Sequence, residues 1–226
     1  MLKRFTILLF ILAASSQLFS AEIKKEYDSS SRLYKINHFN ENQLIEAEEY
    51  AYTDESDKPA KILFKKRQGN SLIPYKELKY SYESSNVSSI EFYSIEEGER
   101  IDQGKITFSY EEGKLTFIKY FIRLKPSDKL FMFALQQHLY METNLITRRF
   151  VQYEINPESL KPMQSSQHVF FYKDNTPESM KAWILEEDTQ KIIENCEKDL
   201  TIIEKIIEDI EKKCIYRSSG NTFTRI

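Results

Sequence analysis

One stretch of this chain spells out a β-hairpin almost completely: Ile106-Thr-Phe-Ser-Tyr-Glu-Glu-Gly-Lys-Leu-Thr-Phe-Ile-Lys-Tyr-Phe121. Two runs rich in Thr, Ile, Phe and Tyr, residue types that suit a pleated surface, flank Glu112-Gly113, a pair suited to a two-residue turn. With those two residues in the turn, Glu111 faces Lys114 as an opposite-charge cross-strand pair. Tyr110 then faces Leu115, and Phe108 is expected to face Phe117. That leaves one face apolar near the turn and the other, with Ser109, Thr107 and Thr116, wet. Ile118, and Ile90 in a related stretch, fall on the wet face. Either a bulge re-phases the strand or something covers that second face.

The same frame of tyrosine, turn formers and an aliphatic residue or proline recurs. It is read at Tyr27 to Leu33, Tyr52 to Pro59, Tyr82 to Val87, Tyr140 to Leu145 and Tyr172 to Pro177, with anchoring tyrosines 25 to 32 residues apart. Further turn signals stand at Arg67-Gln-Gly-Asn70, Glu96-Glu-Gly-Glu99, Lys125-Pro-Ser-Asp128 and Asn156-Pro-Glu-Ser159. With only 5 Gly and 6 Pro in 226 residues, most turns must be built from Ser, Asn, Asp and Glu. Leu130-Phe-Met-Phe-Ala-Leu135 is apolar throughout and reads as a core strand. The fold class expected is therefore mainly β (α+β), an antiparallel meander of repeated hairpins followed by one long C-terminal amphipathic helix. The 13% aromatic content excludes a disordered chain despite many charges.

Tyr27-Asp-Ser-Ser-Ser-Arg-Leu33 resembles the Tyr-Asp-x-x-Gly-Arg-Leu core of the YD repeats of Rhs-type secreted proteins. Tyr110-Glu-Glu-Gly-Lys-Leu115 is similar to the short hairpins of MORN-like repeats. The resemblance spans Tyr27 to Trp183 and implies architecture, stacked hairpins serving as a scaffold or interaction surface, with no catalytic residue carried over. The turn Gly survives only at Gly113, and the spacing varies.

Residues 1–20 have the layout of a secretory signal peptide: basic Lys3 and Arg4, an apolar run from Phe5 to Ala14, then small and polar residues before Ala21. The run is shorter than a membrane span of about 20 residues. No cysteine stands near the cleavage point, which argues against a lipoprotein. The expected location is periplasmic or secreted, with no integral membrane segment after signal removal. Three segments are expected: 1–20 signal, 21–187 hairpin-repeat domain, and 188–226 helix and polar tail. Loss of Lys3 and Arg4 takes the formal charge from −3 to −5, which excludes a nucleic-acid partner held by general electrostatics.

From Asp188 the apolar period changes. Ile193, Cys196, Leu200, Ile203, Ile207, Ile210 and Cys214 recur at steps of three and four, as on a helix about 39 Å long starting with Asp188 as cap. This stripe either packs on the sheet or pairs with a second copy. It is symmetric about position 205, so an antiparallel homodimer would oppose Cys196 and Cys214 of different chains, a candidate disulfide in an oxidising compartment. On one unbroken helix the two thiols are about 27 Å apart and cannot bond to each other. Burial of both thiols as small apolar groups is the competing reading.

Chemistry is sparse. His38, His138 and His168 stand singly, and no phosphate loop, nucleophile elbow or zinc motif occurs. No catalytic residue, metal site or cofactor is expected, and the chain is read as non-catalytic. Phe92, Tyr93, Ile118, Tyr120 and Phe121 are candidates for an aromatic interaction surface if their face is uncovered. The function expected is an exported scaffold or binding protein of the cell envelope with an unknown protein or glycan partner. The alternative is a small secreted hydrolase or lectin-like carbohydrate-binding protein whose site is assembled only by the fold.

Overall fold

The computed structural model describes residues 22–53, 56–124, 129–155, 161–186, 189–196 and 200–219, with backbone only at 155, 184–186, 189–196 and 200–202. The proposed signal segment and the polar tail lie outside them. Five strands come first: β1 (Glu22–Tyr27), β2 (Leu33–Asn40), β3 (Gln43–Tyr52), β4 (Pro59–Gln68) and β5 (Ser71–Glu83). Four follow: β6 (Asn86–Glu96), β7 (Glu99–Glu111), β8 (Lys114–Leu124) and β9 (Lys129–Met141). Then come β10 (Asn144–Ile155), β11 (Pro162–Lys173), β12 (Thr176–Glu186), β13 (Thr189–Cys196) and one helix, α1 (Leu200–Ser218). Among the described residues the thirteen strands form one sheet whose order is the chain order, the antiparallel meander expected. The chain divides into two compact units, one of residues 1–78 and 95–99, the other of 79–94 and 100–226.

Two-residue turns join β2 to β3, β4 to β5, β5 to β6, β6 to β7, β7 to β8, β9 to β10 and β11 to β12. In four of them both central residues have positive φ: Glu41-Asn42, Glu97-Gly98, Glu112-Gly113 and Asp174-Asn175, the geometry whose twist matches the flanking strands. Glu112 sits at φ 50° and Gly113 at 75°, so a Glu carries the left-handed conformation at a position where Asn or Asp is the commoner choice.

The pairing beyond each turn follows one rule. Glu111 opposes Lys114 and Tyr110 opposes Leu115, as expected, but Phe108 opposes Ile118 rather than Phe117 because Thr116 is an extra residue in β8. The same skip follows Tyr27 opposite Leu33, Tyr52 opposite Pro59, Tyr140 opposite Leu145 and Tyr172 opposite Pro177. The extra residues there are Tyr34, Ala60, Ile146 and Glu178. A bulge of this kind inverts the inside-outside phase of the strand and tightens its twist. Ile118 is thereby returned to the face of Tyr110 and Leu115, and it is buried.

The end of the chain departs from expectation. Thr189–Cys196 is not helical; it is the strand β13, with Cys196 opposite Met180 and Glu194 opposite Ala182. Hydrogen bonding to the free side of β12 outweighs the helical spacing of Ile193 and Cys196, a tertiary override favoured by the β-branched Thr189, Ile192 and Ile193. The helix runs 19 residues, Leu200–Ser218. Ile203, Ile207, Ile210 and Cys214 form its buried stripe, packed against β8 and β12, and each buried isoleucine contributes about 2 kcal/mol. The symmetric seam of a single helix from Ile193 to Cys214 is therefore not formed: Ile193 and Cys196 belong to a strand, Leu200 opens the helix, and Ile203, Ile207, Ile210 and Cys214 are buried. Cys214 carries a free thiol.

The bulge makes an asymmetric prediction. Deleting Thr116 leaves Phe108 opposite Ile118 in a regular ladder, and urea unfolding should show a loss below about 2 kcal/mol. Deleting Thr116 and Phe117 together puts Ile118, Tyr120 and Ile122 on the opposite face, and cooperative unfolding should disappear.

Candidate functional site

The registers of β7 to β12 sort the second unit's side chains into two faces. On the helix side, rows read Phe108, Ile118, Gln136, Phe150, His168, Ala182 and Ile106, Tyr120, Ala134, Gln152, Ser166. A third reads His138, Arg148, Phe170, Met180. Most of these are buried, and Phe150 meets Phe170 edge to face at 5.9 Å between ring centroids.

Within this apolar layer lies a connected polar cluster. The Gln136 carboxamide is 3.1 Å from the Tyr120 hydroxyl and 2.8 Å from His138 Nε2. With its oxygen turned toward Arg148, that oxygen accepts from Nε and Nη2, both at 2.5 Å, while the amide nitrogen donates to Tyr120 Oη. Arg148 Nη2 also donates to Glu211 of α1, the guanidinium lies 5.1 Å from the centre of the Phe150 ring, and Tyr172 hydrogen-bonds to it. Burial works against the Arg148 charge, but Glu211 and Tyr172 outweigh it and hold the guanidinium more firmly protonated. Burial, reinforced by Cys214 and Glu211, keeps Tyr120 un-ionised far above the usual phenol range. Burial also pushes the Cys214 thiol up to about 12, with Glu211 adding to it. A thiol held neutral in this way is a packing group rather than a nucleophile. The cluster fastens the helix to the sheet through Arg148 and Glu211.

At the other end of α1, Arg217 lies over the Phe133 ring at 4.7 Å, and the backbone of Ser218 presses on β7. A Cβ on Gly104 would meet Phe121 O at 2.4 Å and Ser218 O at 2.7 Å, so only glycine admits this close approach. A Gly within an otherwise regular strand is the sequence signal of such a close approach.

The opposite face of the same strands is uncovered by the helix. Its rows read Ser109, Phe117, Gln137, Arg149, Val169, Lys181 and Thr107, Lys119, Leu135, Val151, Gln167, Trp183, flanked by Lys105, Phe121, Met132 on one side. Toward the turns a row of Leu139, Thr147, Phe171 and Ser179 completes it. Phe117, Phe121, Phe171 and Trp183 are half-buried, and Lys119 and Lys181 are exposed. Lys105 and Lys181 cap the Phe121 and Phe171 rings, each at 5.9 Å.

Of the five expected surface aromatics and aliphatics, Phe92, Ile118 and Tyr120 are buried and are core, because the bulge and the helix place them inside. Phe121 belongs to the open face. Tyr93 is half-buried, hydrogen-bonded to Glu91 at 2.8 Å and stacked under Arg100 at 4.3 Å, and its hydroxyl is pushed up to about 12 by burial, then by Glu91.

The first unit has its own polar order. His38 Nε2 lies 2.9 Å from Glu48, which also accepts from the Tyr50 hydroxyl at 2.7 Å. On the other face Glu49 binds Lys65 at 2.6 Å and Lys35 at 3.8 Å, an alternating-charge ladder across three strands. Among the described residues no group of three or more His, Cys, Asp or Glu is placed to hold a metal, and no helix is long and apolar enough to cross a membrane.

The second unit has one sheet face covered by the helix and, among the described residues, the other left open, in a meander whose strand order is the chain order. No family model matches the chain, and no curated protein matches it. Among solved structures, it is similar to a protein of unknown function from Bacteroides fragilis, with 10% identity, TM-score 0.43, and coverage of 55% of this chain and 93% of that one. A DUF3836 family protein from Parabacteroides distasonis is 17% identical at TM-score 0.29, over 38% of this chain and 85% of that one. A chain of the TcdB2-TccC3-Cdc42 structure is 12% identical at TM-score 0.41, over 75% of this chain and 12% of that one. These likenesses are weak and assign no family.

Two predictions follow from the cluster and the histidines. Arg148→Met alone, or Glu211→Leu alone, strands a buried charge and should cost about 3 kcal/mol in chemical unfolding, whereas the double replacement should recover most of that loss. Stability between pH 5 and pH 8 should also split by histidine. The hydrogen bond to Glu48 raises the His38 pKa above 6.5, so its contribution is complete below 6.5 and fades as pH rises through the folded value. Burial, then Lys213, lowers His168 below 6.5, so its neutral form stabilises above 6.5 and that contribution fades as pH falls toward the folded value. His168→Gln should therefore lessen acid sensitivity, and His38→Gln should lessen sensitivity to rising pH, both read from urea midpoints.

Proposed function

We propose that the protein is an exported, non-catalytic scaffold or binding protein of the cell envelope, built from a repeated hairpin and working through the sheet face that α1 leaves open. The observation that carries this reading is the asymmetry of the second unit. One face holds the helix through a polar cluster, and the other presents half-buried aromatic rings and rows of basic and neutral side chains. Aromatic side chains and arginine are enriched where proteins anchor partners, and this face carries Phe117, Phe121, Phe171, Trp183 and Arg149. The leader-like composition of residues 1–20 supports export, and the recurring tyrosine-anchored register supports a scaffold extended by repetition. Site-specific photocrosslinking in the native host tests the reading. A photoreactive residue in place of Lys119 or Gln137 should capture a partner, while one in place of Glu208 on the helix's outer side should not. Capture from Glu208 alone, or from neither side, overturns it.

A further inference from the structure

We infer that the open face of β8 to β12 docks flat on a lipid bilayer bearing anionic headgroups; this deepens the proposal above and rests on that face being the working surface. Lys105, Lys119, Arg149 and Lys181 stand in three of the four registered rows of this face, and no carboxylate stands in any of the four. The chain as a whole carries a formal charge of −3, so positive charge has been segregated onto this side. The carboxylates on this side stand at its turn end, Glu111 opposite Lys114 and Glu178 as the bulge residue of β12, with Glu112, Glu142 and Asp174 in the hairpin turns beyond, which disfavours an end-on approach to an anionic surface and favours a face-on one.

The second observation is apolar. At one end of the face Leu139 is 45% exposed, Met141 65% and Ile146 36%. Ile146 is the bulge residue of β10, and with Thr147 it opposes Leu139, so the bulge adds an aliphatic side chain to this side. Basic side chains beside exposed aliphatics suit the headgroup boundary, where charge meets the anionic lipid and the apolar groups enter the acyl margin. A polysaccharide offers those aliphatics nothing to bury against, and the rings that could stack on sugars at Phe121 and Phe171 are already capped by Lys105 and Lys181.

Co-sedimentation of the purified chain with phosphatidylcholine vesicles, with and without about one third phosphatidylglycerol, tests this. Binding is expected only with phosphatidylglycerol and should weaken with added salt. Lys119→Glu and Arg149→Glu should each lower it at least about fivefold. Met141→Ser should lower it at unchanged charge, and Lys205→Glu on α1 should leave it unchanged, with thermal unfolding confirming that each variant is folded. Equal binding to both vesicles, no binding, or equal loss for Lys205→Glu overturns the inference. So does binding of soluble dextran sulfate that matches the vesicles in strength and is indifferent to Met141→Ser, which assigns the face to a polyanion. If Lys119 photocrosslinks a protein or glycan while vesicles go unbound, the lipid fails and the open face stands; if neither occurs, both fail.

Discussion

A single extra residue just past five of the six tyrosine-anchored turns decides which side chains meet the core. With the skip, the outgoing strand sends inward its anchor residue, the third after it and the fifth. The six copies then read Leu33, Ile36, His38; Pro59, Ile62, Phe64; Val87, Ile90, Phe92; Leu115, Ile118, Tyr120; Leu145, Arg148, Phe150; and Pro177, Met180, Ala182. Ile62 and Phe64, Val87, Ile90 and Phe92, Ile118 and Tyr120, and Met180 and Ala182 are all buried. A strict two-residue alternation would instead bury Phe117 and Lys119 beside Leu115. The bulge is thus the condition under which six imperfect sequences each present a usable inner face.

The exception within that rule creates the polar cluster. Five copies place Ile or Met at the third position after the anchor, and the fifth copy places Arg148 there. A guanidinium in that slot must find partners or be expelled, since an unpaired buried charge costs several kcal/mol. Gln136, Tyr172 and Glu211 supply them. Burying such a pair adds little net stability over an apolar replacement; what it adds is position. The isoleucine stripe of α1 could slide along an apolar layer by a turn at small cost, whereas Glu211 meets Arg148 at one setting only. Gly104, where the Ser218 carbonyl sits too close for any side chain, fixes the far end of the helix in the same way.

The meander, the hairpin turns and the apolar stripe from Ile203 to Cys214 were legible because each is local: alternation, turn formers and helical spacing lie within a few residues. The bulges were half legible. Ile118 and Ile90 stood out as residues on the wrong face, but two remedies fitted equally, and the register itself is a cross-strand property. β13 was illegible for a different reason. Ile193 and Cys196 extend the helical spacing of the stripe that follows, and only the open side of β12 gives those eight residues something better to do than remain helical. The cluster around Arg148 was out of reach, because its members come from β8, β9, β10, β11 and α1, and neither Gln136 nor Glu211 carries any local sign of a buried partner.

A sheet covered on one face only must keep the other from becoming a template for aggregation. The first strand does so at its edge with exposed Glu22, Lys24 and Lys25, the charged edge natural sheets use. The open face of the second unit solves the problem differently: lysines lie across its phenylalanine rings, so that apolar area is wetted by alkyl stems ending in charge. Solubility alone is served equally well by mixed signs, as the Glu49, Lys35 and Lys65 ladder of the first unit shows. Rows that carry only positive charge incur mutual repulsion that mixed rows avoid. The chain accepts that repulsion on the face where Leu139, Met141 and Ile146 are also left exposed, and a negatively charged apolar boundary relieves both costs at once.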